Sequence, residues 1–178
     1  MAIAWSTTGM TISVVPIELK SHGLAGWTGL VIFLSNFVGF LCQPIATRME
    51  THKALLLGFT LVPLGFVVLL LGVMSDHLVL VLLGTAITSS ASYGFTYLAA
   101  LSEFSIKTTD NRARATAGLF VYAYIGFSLP VILSGALADH FGLLHTMIGF
   151  SIAQIFLSVI SVVIWKRMCR SSESHLIG

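Results

Sequence analysis

Six long runs of nearly uncharged residues determine what this sequence can fold into. They cover Ala2–Leu19, Gly26–Ala46, Ala54–Met74, Leu78–Leu101, Ala115–Ala138 and Leu143–Trp165. Each has about the 17 to 25 residues that a helix needs to cross roughly 30 Å of hydrocarbon. Charged residues make up 9% of the chain, against about 25% in soluble domains. The sequence therefore predicts an all-α integral membrane protein, with a six-helix membrane domain over residues 1–165.

The basic residues predict the orientation of this domain. With six crossings, both termini and the connections after spans two and four share one side of the membrane. That side carries Arg48, Lys53, Lys107, Arg112, Arg114, Lys166, Arg167 and Arg170, whereas the other side carries Lys20 alone. Because Lys and Arg concentrate in cytoplasmic loops, we expect a multi-pass protein of the cell membrane. Its N-terminus and its basic tail, residues 166–178, should both be cytoplasmic.

The fourth span carries a stripe of small and hydroxyl-bearing residues. The stripe repeats every four residues through Gly84, Thr88, Ser92, Thr96 and Ala100, and beside it lie Thr85, Ser89, Tyr93 and Tyr97. One interpretation is close packing, because small residues let membrane helices approach and hydroxyls bond across them. The other is the wall of a polar cavity. The sequence of this span alone does not distinguish between the two interpretations.

A weak similarity between two stretches of the sequence indicates how the six spans are arranged. The sequence QPIATRMETHKALLLGF from Gln43 resembles GALADHFGLLHTMIGF from Gly135, with one residue skipped. The two copies are three spans apart and hence lie on opposite membrane faces. Such an arrangement is typical of an inverted repeat of three plus three helices.

Four stretches resemble a known family. They are the WSTTGM opening at Trp5–Met10, the connection from Arg48 to Lys53, the loop DNRARATAG at Asp110–Gly118, and Pro130 followed by GALADHFG. With these, the chain resembles the C-terminal six-helix half of a major facilitator superfamily (MFS) transporter. The resemblance implies gating or loop-motif roles for Arg48, Lys53, Arg112, Arg114, Pro130, Gly135 and Asp139.

The family implies a secondary transporter that moves a small solute, here by efflux, as two six-helix halves rock around a central site. Spans one and four would line the cavity, and spans two and five would face the other half. The expected pathway side chains are Thr8, Asn36, Ser89, Tyr93 and Tyr97. Since this chain supplies six spans, the resemblance implies a second six-helix half or a homodimer as partner. Small and polar residues would form the partner faces: Ser35, Gly39, Gln43, Gly118, Gly126 and Gly135.

Several other functions have no support in the sequence. No Asp, Glu, Lys, Arg or His lies in the interior of a span, since Glu18 and His145 lie near span ends, and the chain has no nucleophile motif, phosphate-binding glycine loop or HExxH. Cys42 and Cys169 are far apart and have no metal-ligand spacing. We therefore expect no enzymatic activity, no cofactor, no metal and no nucleic-acid partner. A different class stays open, namely a non-transporting membrane subunit or truncated remnant whose polar faces only pack helices.

Overall fold

The computed structural model describes the backbone of residues 1–107 and 112–174. Side chains are described over the same ranges apart from residues 35, 103–107, 112, 115 and 168–174. The helices are α1 (Ala2–Ser21), α2 (Thr28–Leu41), α3 (Gln43–Arg48), α4 (Thr51–Met74), α5 (Leu78–Ser89), α6 (Tyr97–Lys107), α7 (Arg112–Phe141) and α8 (Leu143–Ser174). A 3-10 turn covers Ala25–Trp27, and a π-helical segment, Ser90–Thr96, joins α5 to α6. No strand occurs in these ranges, which confirms the all-α prediction.

Five helical stretches of the described chain are long and apolar enough to cross a membrane. They are Ala25–Arg48, Thr51–Met74, Leu78–Ser102, Thr116–Phe141 and Leu143–Arg167. Helix α1 has 20 residues, so its length suffices, but its many hydroxyl groups lower its hydropathy. Its side chains are instead buried inside the bundle, with Thr7 and Val14 fully enclosed. This architecture is compatible with a multi-pass all-α membrane protein.

Three element boundaries differ from the sequence prediction. Helix α8 continues through the basic tail to Ser174, because no Gly or Pro interrupts the sequence there. The second span divides at Cys42 into α2 and α3, since Pro44 has no N–H to continue the helical ladder. Helix α7 begins at Arg112, while residues 108–111 of the predicted loop and 175–178 of the tail lie outside the described residues.

Helix α4 packs on α5 and the π segment along a seam of glycines, formed by Gly58, Gly65 and Gly72 of α4 and Gly84 of α5, with Gly58 against the π segment. A Cβ at Gly72 would lie 2.6 Å from the backbone nitrogen of Val81, and one at Gly65 would lie 2.8 Å from that of Thr88. A Cβ at Gly84 would collide with the backbone of Leu69. Only hydrogen atoms fit at these points, so the two backbones approach as closely as helices in membranes do.

The remaining helices pack in pairs around this seam. Helix α1 packs on α7, α2 on α5 and the π segment, and α8 on both α4 and α7. An apolar core joins α1, α4, α5 and α8, with Met10, Val14, Phe66, Leu69 and Met147 at its centre. A buried side-chain hydrogen bond joins α1 to α8, between the Thr7 hydroxyl and Gln154 Oε1 at 2.9 Å. In contrast, α2, α7 and α8 leave wide apolar faces uncovered.

Candidate functional site

The stripe of the fourth span lies against other helices of the chain. Thr88, Ser92 and Thr96 are at most 1% exposed. The Ser92 hydroxyl donates to the backbone carbonyl of Ala4 in α1 at 2.9 Å, whereas Thr88 and Thr96 face Gly65 and Gly58 of the seam. Of the two interpretations of the stripe, close packing is therefore confirmed for these three positions.

Beside the stripe, the π-helical segment carries Tyr93 near the middle of the helical stretch from Leu78 to Lys107. The Gln43 side-chain amide at the start of α3 donates to the backbone carbonyl of Tyr93, with Nε2 and O separated by 3.4 Å. Gly94 lies next to the Cβ of Cys42, so α2 passes close to this turn. Single π turns inside α-helices are frequent at functional sites, and this one fixes the position of a tyrosine.

Four aromatic side chains from four different elements meet around Tyr93. We call this set of residues, Trp5, Phe40, Tyr93 and Tyr124, the aromatic surface. The Tyr93 ring stacks on Phe40 of α2 with centroids 6.1 Å apart, and it meets Trp5 of α1 edge-on at 5.9 Å. Trp5 in turn meets Tyr124 of α7 at 5.7 Å. Spans one, two, four and five each contribute one ring, in the offset and edge geometries that aromatic pairs prefer.

The aromatic surface is open at its edges and polar at its centre. Phe40 is 53% exposed and Tyr124 59%, while Trp5 and Tyr93 are partly buried between them. The indole N–H of Trp5 is enclosed and has no hydrogen-bond partner among the described residues. A buried donor without a partner costs about 1 to 3 kcal/mol. The surface therefore offers two phenols to a group that approaches it, and the Trp5 N–H becomes available only if the neighbouring rings move apart.

The other expected pathway residues lie in two different places. Thr8, Asn36 and Ser89 line one recess between α1, α2 and α5, whose volume of about 10 Å³ is close to the minimum for a single water. The Thr8 hydroxyl donates to the Ala4 carbonyl of its own helix. Tyr97 lies farther along, and its ring contacts Phe120 of α7 at 6.2 Å. Tyr93 and Tyr97 thus have open flanks, whereas Thr8 and Ser89 are enclosed.

The expected gating positions are mostly exposed. Arg48 ends α3, and Lys53 Nζ contacts Glu50 Oε2 at 3.2 Å within one turn of helix. Arg114, Gly135 and Asp139 are exposed along α7, and Pro130 lies inside that helix. Arg112 is the first residue of α7, but its side chain lies outside the described residues. Within the described chain, these side chains form no single cluster.

The partner faces expected on spans two and five are partly used inside the chain. A Cβ at Gly39 would lie 2.7 Å from the Ser89 carbonyl oxygen, and one at Gly126 would lie 2.6 Å from the Cβ of Ala2. These two glycines therefore serve internal packing, and their expected role at a partner face is wrong. Gly118 and Gly135 have no heavy atom within 4 Å of such a Cβ, so they remain free for another surface.

A larger cleft of about 820 Å³ lies elsewhere, between α1, α7 and α8. Its volume suits a small molecule, but its walls are almost wholly apolar. The hydroxyls of Ser6, Ser134 and Thr146 on its lining already donate to backbone carbonyls of their own helices. Its other polar lining groups are His140, His145 and Gln154, whose Nε2 has no partner among the described residues. Because the aromatic surface gathers side chains from four spans, it is the stronger candidate for a transport pathway.

Three of the four rings of the aromatic surface could not be singled out from the sequence. Trp5 belongs to the WSTTGM stretch, and Tyr124 is one of two tyrosines in span five, but nothing local indicates that they converge on Tyr93.

No family model, no curated protein and no solved structure matches this chain. A functional assignment therefore depends on the geometry of these side chains.

Proposed function

We propose that this chain is one half of a secondary transporter of the MFS type, which exports a small solute by alternating access together with a partner half. The observation that carries the proposal is the aromatic surface. It gathers one ring from each of spans one, two, four and five around Tyr93, which lies near the middle of its own helical stretch. Transporters of this kind bind their substrates between helices near the bilayer midplane. Hydrogen bonding by Tyr93 and aromatic contact by Trp5 and Phe40 would hold the solute, with no covalent step.

The pairing of the helices supports an inverted repeat of three plus three. If span one corresponds to span four and span two to span five, the α1–α7 pair corresponds to the α2–α5 pair. Both pairs pack through glycines, Gly9 and Gly126 in the first and Gly39 in the second. Spans three and six, α4 and α8, also pack on each other, and an exchange of the two triplets maps this pair onto itself.

The uncovered side of the bundle supports a partner. Tyr122 and Tyr124 of α7 are 73% and 59% exposed, although both lie well inside a predicted span. Phenol groups are favoured at the interfaces of a membrane, where the hydroxyl meets water, and at depth they need a polar partner or a wet cavity. A second six-helix half, or a second copy of this chain, would supply both.

Our proposed orientation has the end that carries Arg48, Lys53 and Trp165 in the cytoplasm. It rests on the charge distribution of the sequence. Cys169 tests it, because a membrane-impermeant maleimide should label this thiol after permeabilisation and leave it unlabelled in intact cells. A variant with Cys42 replaced by Ser provides a single reporter thiol. Labelling of Cys169 in intact cells would mean that the topology is the reverse of the proposed one.

Transport is tested in proteoliposomes that contain this chain, alone and with a candidate partner half. A panel of small aromatic and cationic solutes is loaded, and efflux is followed under an imposed proton gradient. We expect Tyr93→Leu to lower efflux at least tenfold, since the substrate loses its central contact. Phe156→Leu, which changes an exposed ring of α8 outside the ring contacts of the aromatic surface, is the matched control. Equal rates for both variants would remove the aromatic surface as the pathway.

A second candidate function rests on the buried hydroxyls. Thr85, Thr88 and Ser90 donate to carbonyls of their own helix, and Ser92 bonds to α1, so most polar groups of the fourth span serve packing. This favours a non-transporting membrane subunit. In that case efflux would be absent from every reconstitution, while the chain would still co-purify with its partner in mild detergent.

A further inference from the structure

Three metal-ligating side chains converge at the end of the bundle opposite to Arg48 and Trp165. Glu18 lies in the last turn of α1, His22 follows that helix directly, and Asp76 lies in the connection between α4 and α5. One carboxylate oxygen of each acid and one imidazole nitrogen lie within 4.8 Å of one another. The sequence predicts no metal site, and His22 belongs to none of its motifs. Only the fold brings Asp76 to it, across more than fifty residues of chain.

The orientation of the His22 ring restricts what can lie between these groups. Nδ1 is 2.8 Å from the backbone carbonyl oxygen of Glu18, and a carbonyl only accepts, so Nδ1 carries the hydrogen. In the neutral ring Nε2 then has a free lone pair. Nε2 faces Asp76 Oδ1 at 3.5 Å, which is also an acceptor. A cation between these two acceptors, either a proton on Nε2 or a metal ion, makes the contact favourable.

The third ligand favours a metal ion over a proton. Glu18 and His22 are four residues apart and hence on one face of the chain as it leaves α1, a spacing that also serves metal-binding helices. A single proton bridges two acceptors, whereas a divalent ion accepts three protein ligands and a water. Two ligands about 2.1 Å from a tetrahedral ion lie about 3.4 Å apart, close to the 3.5 Å between His22 Nε2 and Asp76 Oδ1. The Glu18 carboxylate lies within 4.8 Å of both groups and would approach the ion by rotation of its side chain. A histidine ligand usually donates its other N–H to a carbonyl, as His22 does.

We propose that Glu18, His22 and Asp76 bind a divalent transition-metal ion of the zinc class, with water in the fourth position. One imidazole and two carboxylates suit such an ion better than the all-oxygen set that Mg²⁺ and Ca²⁺ prefer. The ion ties the end of α1 to the α4–α5 connection. It would thus hold the helix that carries Trp5 against the glycine seam, independently of any transported solute.

Isothermal titration of the full chain in mild detergent with ZnCl₂ tests the proposal. The Nδ1–H bond to the Glu18 carbonyl raises the pKa of the His22 imidazole above its ordinary value, so the titration is done at about pH 8, where protons compete less. We expect one saturable site per chain and a higher melting temperature with Zn²⁺ than with Mg²⁺. His22→Asn and Glu18→Gln should each weaken binding at least tenfold.

His145→Asn is the matched control, because this exposed histidine near the start of α8 is not a member of the cluster. It should bind Zn²⁺ as the parent chain does. Circular dichroism and elution volume show whether the variants remain folded, and Co²⁺ substitution provides a visible spectrum that reports ligand number directly. Absence of saturable binding, or equal affinity in the parent, His22→Asn and Glu18→Gln chains, would overturn the site. A proton alone would then bridge His22 and Asp76.

Discussion

The glycine seam and the aromatic surface lie on two flanks of the same span, yet they make opposite use of its small and polar residues. At the seam, Gly84 and Thr88 are enclosed by α4, and the backbones of α4 and α5 are in contact. At the aromatic surface, Tyr93 keeps one flank open, and the Trp5 indole N–H has no partner among the described residues. The residues at the seam have all their packing neighbours within this chain, whereas the aromatic surface keeps an open side that another molecule could cover.

This contrast separates stability from function. Packing at the seam is satisfied by van der Waals contact and internal hydrogen bonds, so a change there should alter the free energy of unfolding. The aromatic surface contributes less packing and leaves polar groups free, so a change there should alter binding or association. Four substitutions, taken from the largest expected effect to the smallest, test how sharp this division is.

The largest effect is expected for Gly84→Ala. The new methyl group collides with the backbone of Leu69, so α4 and α5 must separate, and we expect a loss of about 2 kcal/mol in the free energy of unfolding. Titration with SDS in mixed micelles measures it. Gly135→Ala has open space around its Cβ and should be neutral or stabilising by up to about 1 kcal/mol. Equal destabilisation by both would mean that the seam is not tightly packed.

Thr7→Val should have the next largest effect. It removes the hydroxyl whose oxygen lies 2.9 Å from both Gln154 Oε1 and the Ile3 carbonyl oxygen, and the lost polar contact between α1 and α8 should cost about 1 kcal/mol. The matched control is Thr60→Val, because the exposed Thr60 hydroxyl donates only within its own helix. The same micelle titration applies. If Thr7→Val lowers the free energy of unfolding no more than Thr60→Val does, the polar contact of Thr7 inside the bundle does not stabilise the packing of α1.

Trp165→Phe should destabilise by about 0.5 kcal/mol. It keeps an aromatic ring against His52 but removes the bond from indole Nε1 to His52 Nδ1, which is 2.7 Å long and partly buried. Trp27→Phe is the control, since Trp27 is 59% exposed at the start of α2. The fluorescence of the remaining tryptophans follows unfolding in both variants. An equal change in the free energy of unfolding of both variants would mean that Trp165 serves only as an anchor at the membrane interface.

The smallest effect is expected for Lys53→Met. Its ion pair with Glu50 is exposed on both sides and confined to one helical turn, so water and salt screen it and its loss should change stability by less than about 0.3 kcal/mol. If efflux nevertheless falls while the unfolding curve stays the same, Lys53 acts in gating, as the family resemblance implies. A large loss of stability would instead reveal contacts that the bundle itself needs.

The sequence predicted the helical class because hydrophobic run length alone decides it. It also located the stripe of span four, since a four-residue repeat of small residues has few uses in a helix. It did not predict that Gly39 and Gly126 pack internally, because a small residue is equally suited to an internal and an external contact. That choice depends on which helices become neighbours.

The aromatic surface shows the same limit at the candidate site. Tyr93 could be singled out from its own span, but Trp5, Phe40 and Tyr124 come from three others, and no local pattern indicates that they converge. The His22–Asp76 contact is similarly invisible in the sequence, since it depends on α1 ending beside the α4–α5 connection. Long-range neighbours of this kind follow from tertiary packing, which residue spacing along one helix does not encode.

The π-helical segment gives the fourth span a place where its length can change. A π turn holds one residue more than an α turn, so it absorbs an extra residue without turning the helix beyond it. Deleting one residue from Ser90–Thr96 would let the helix close with regular α geometry and keep Tyr97 beside Phe120. A deletion within α5, where the helix is regular, would instead turn every later side chain by about 100° relative to its neighbours.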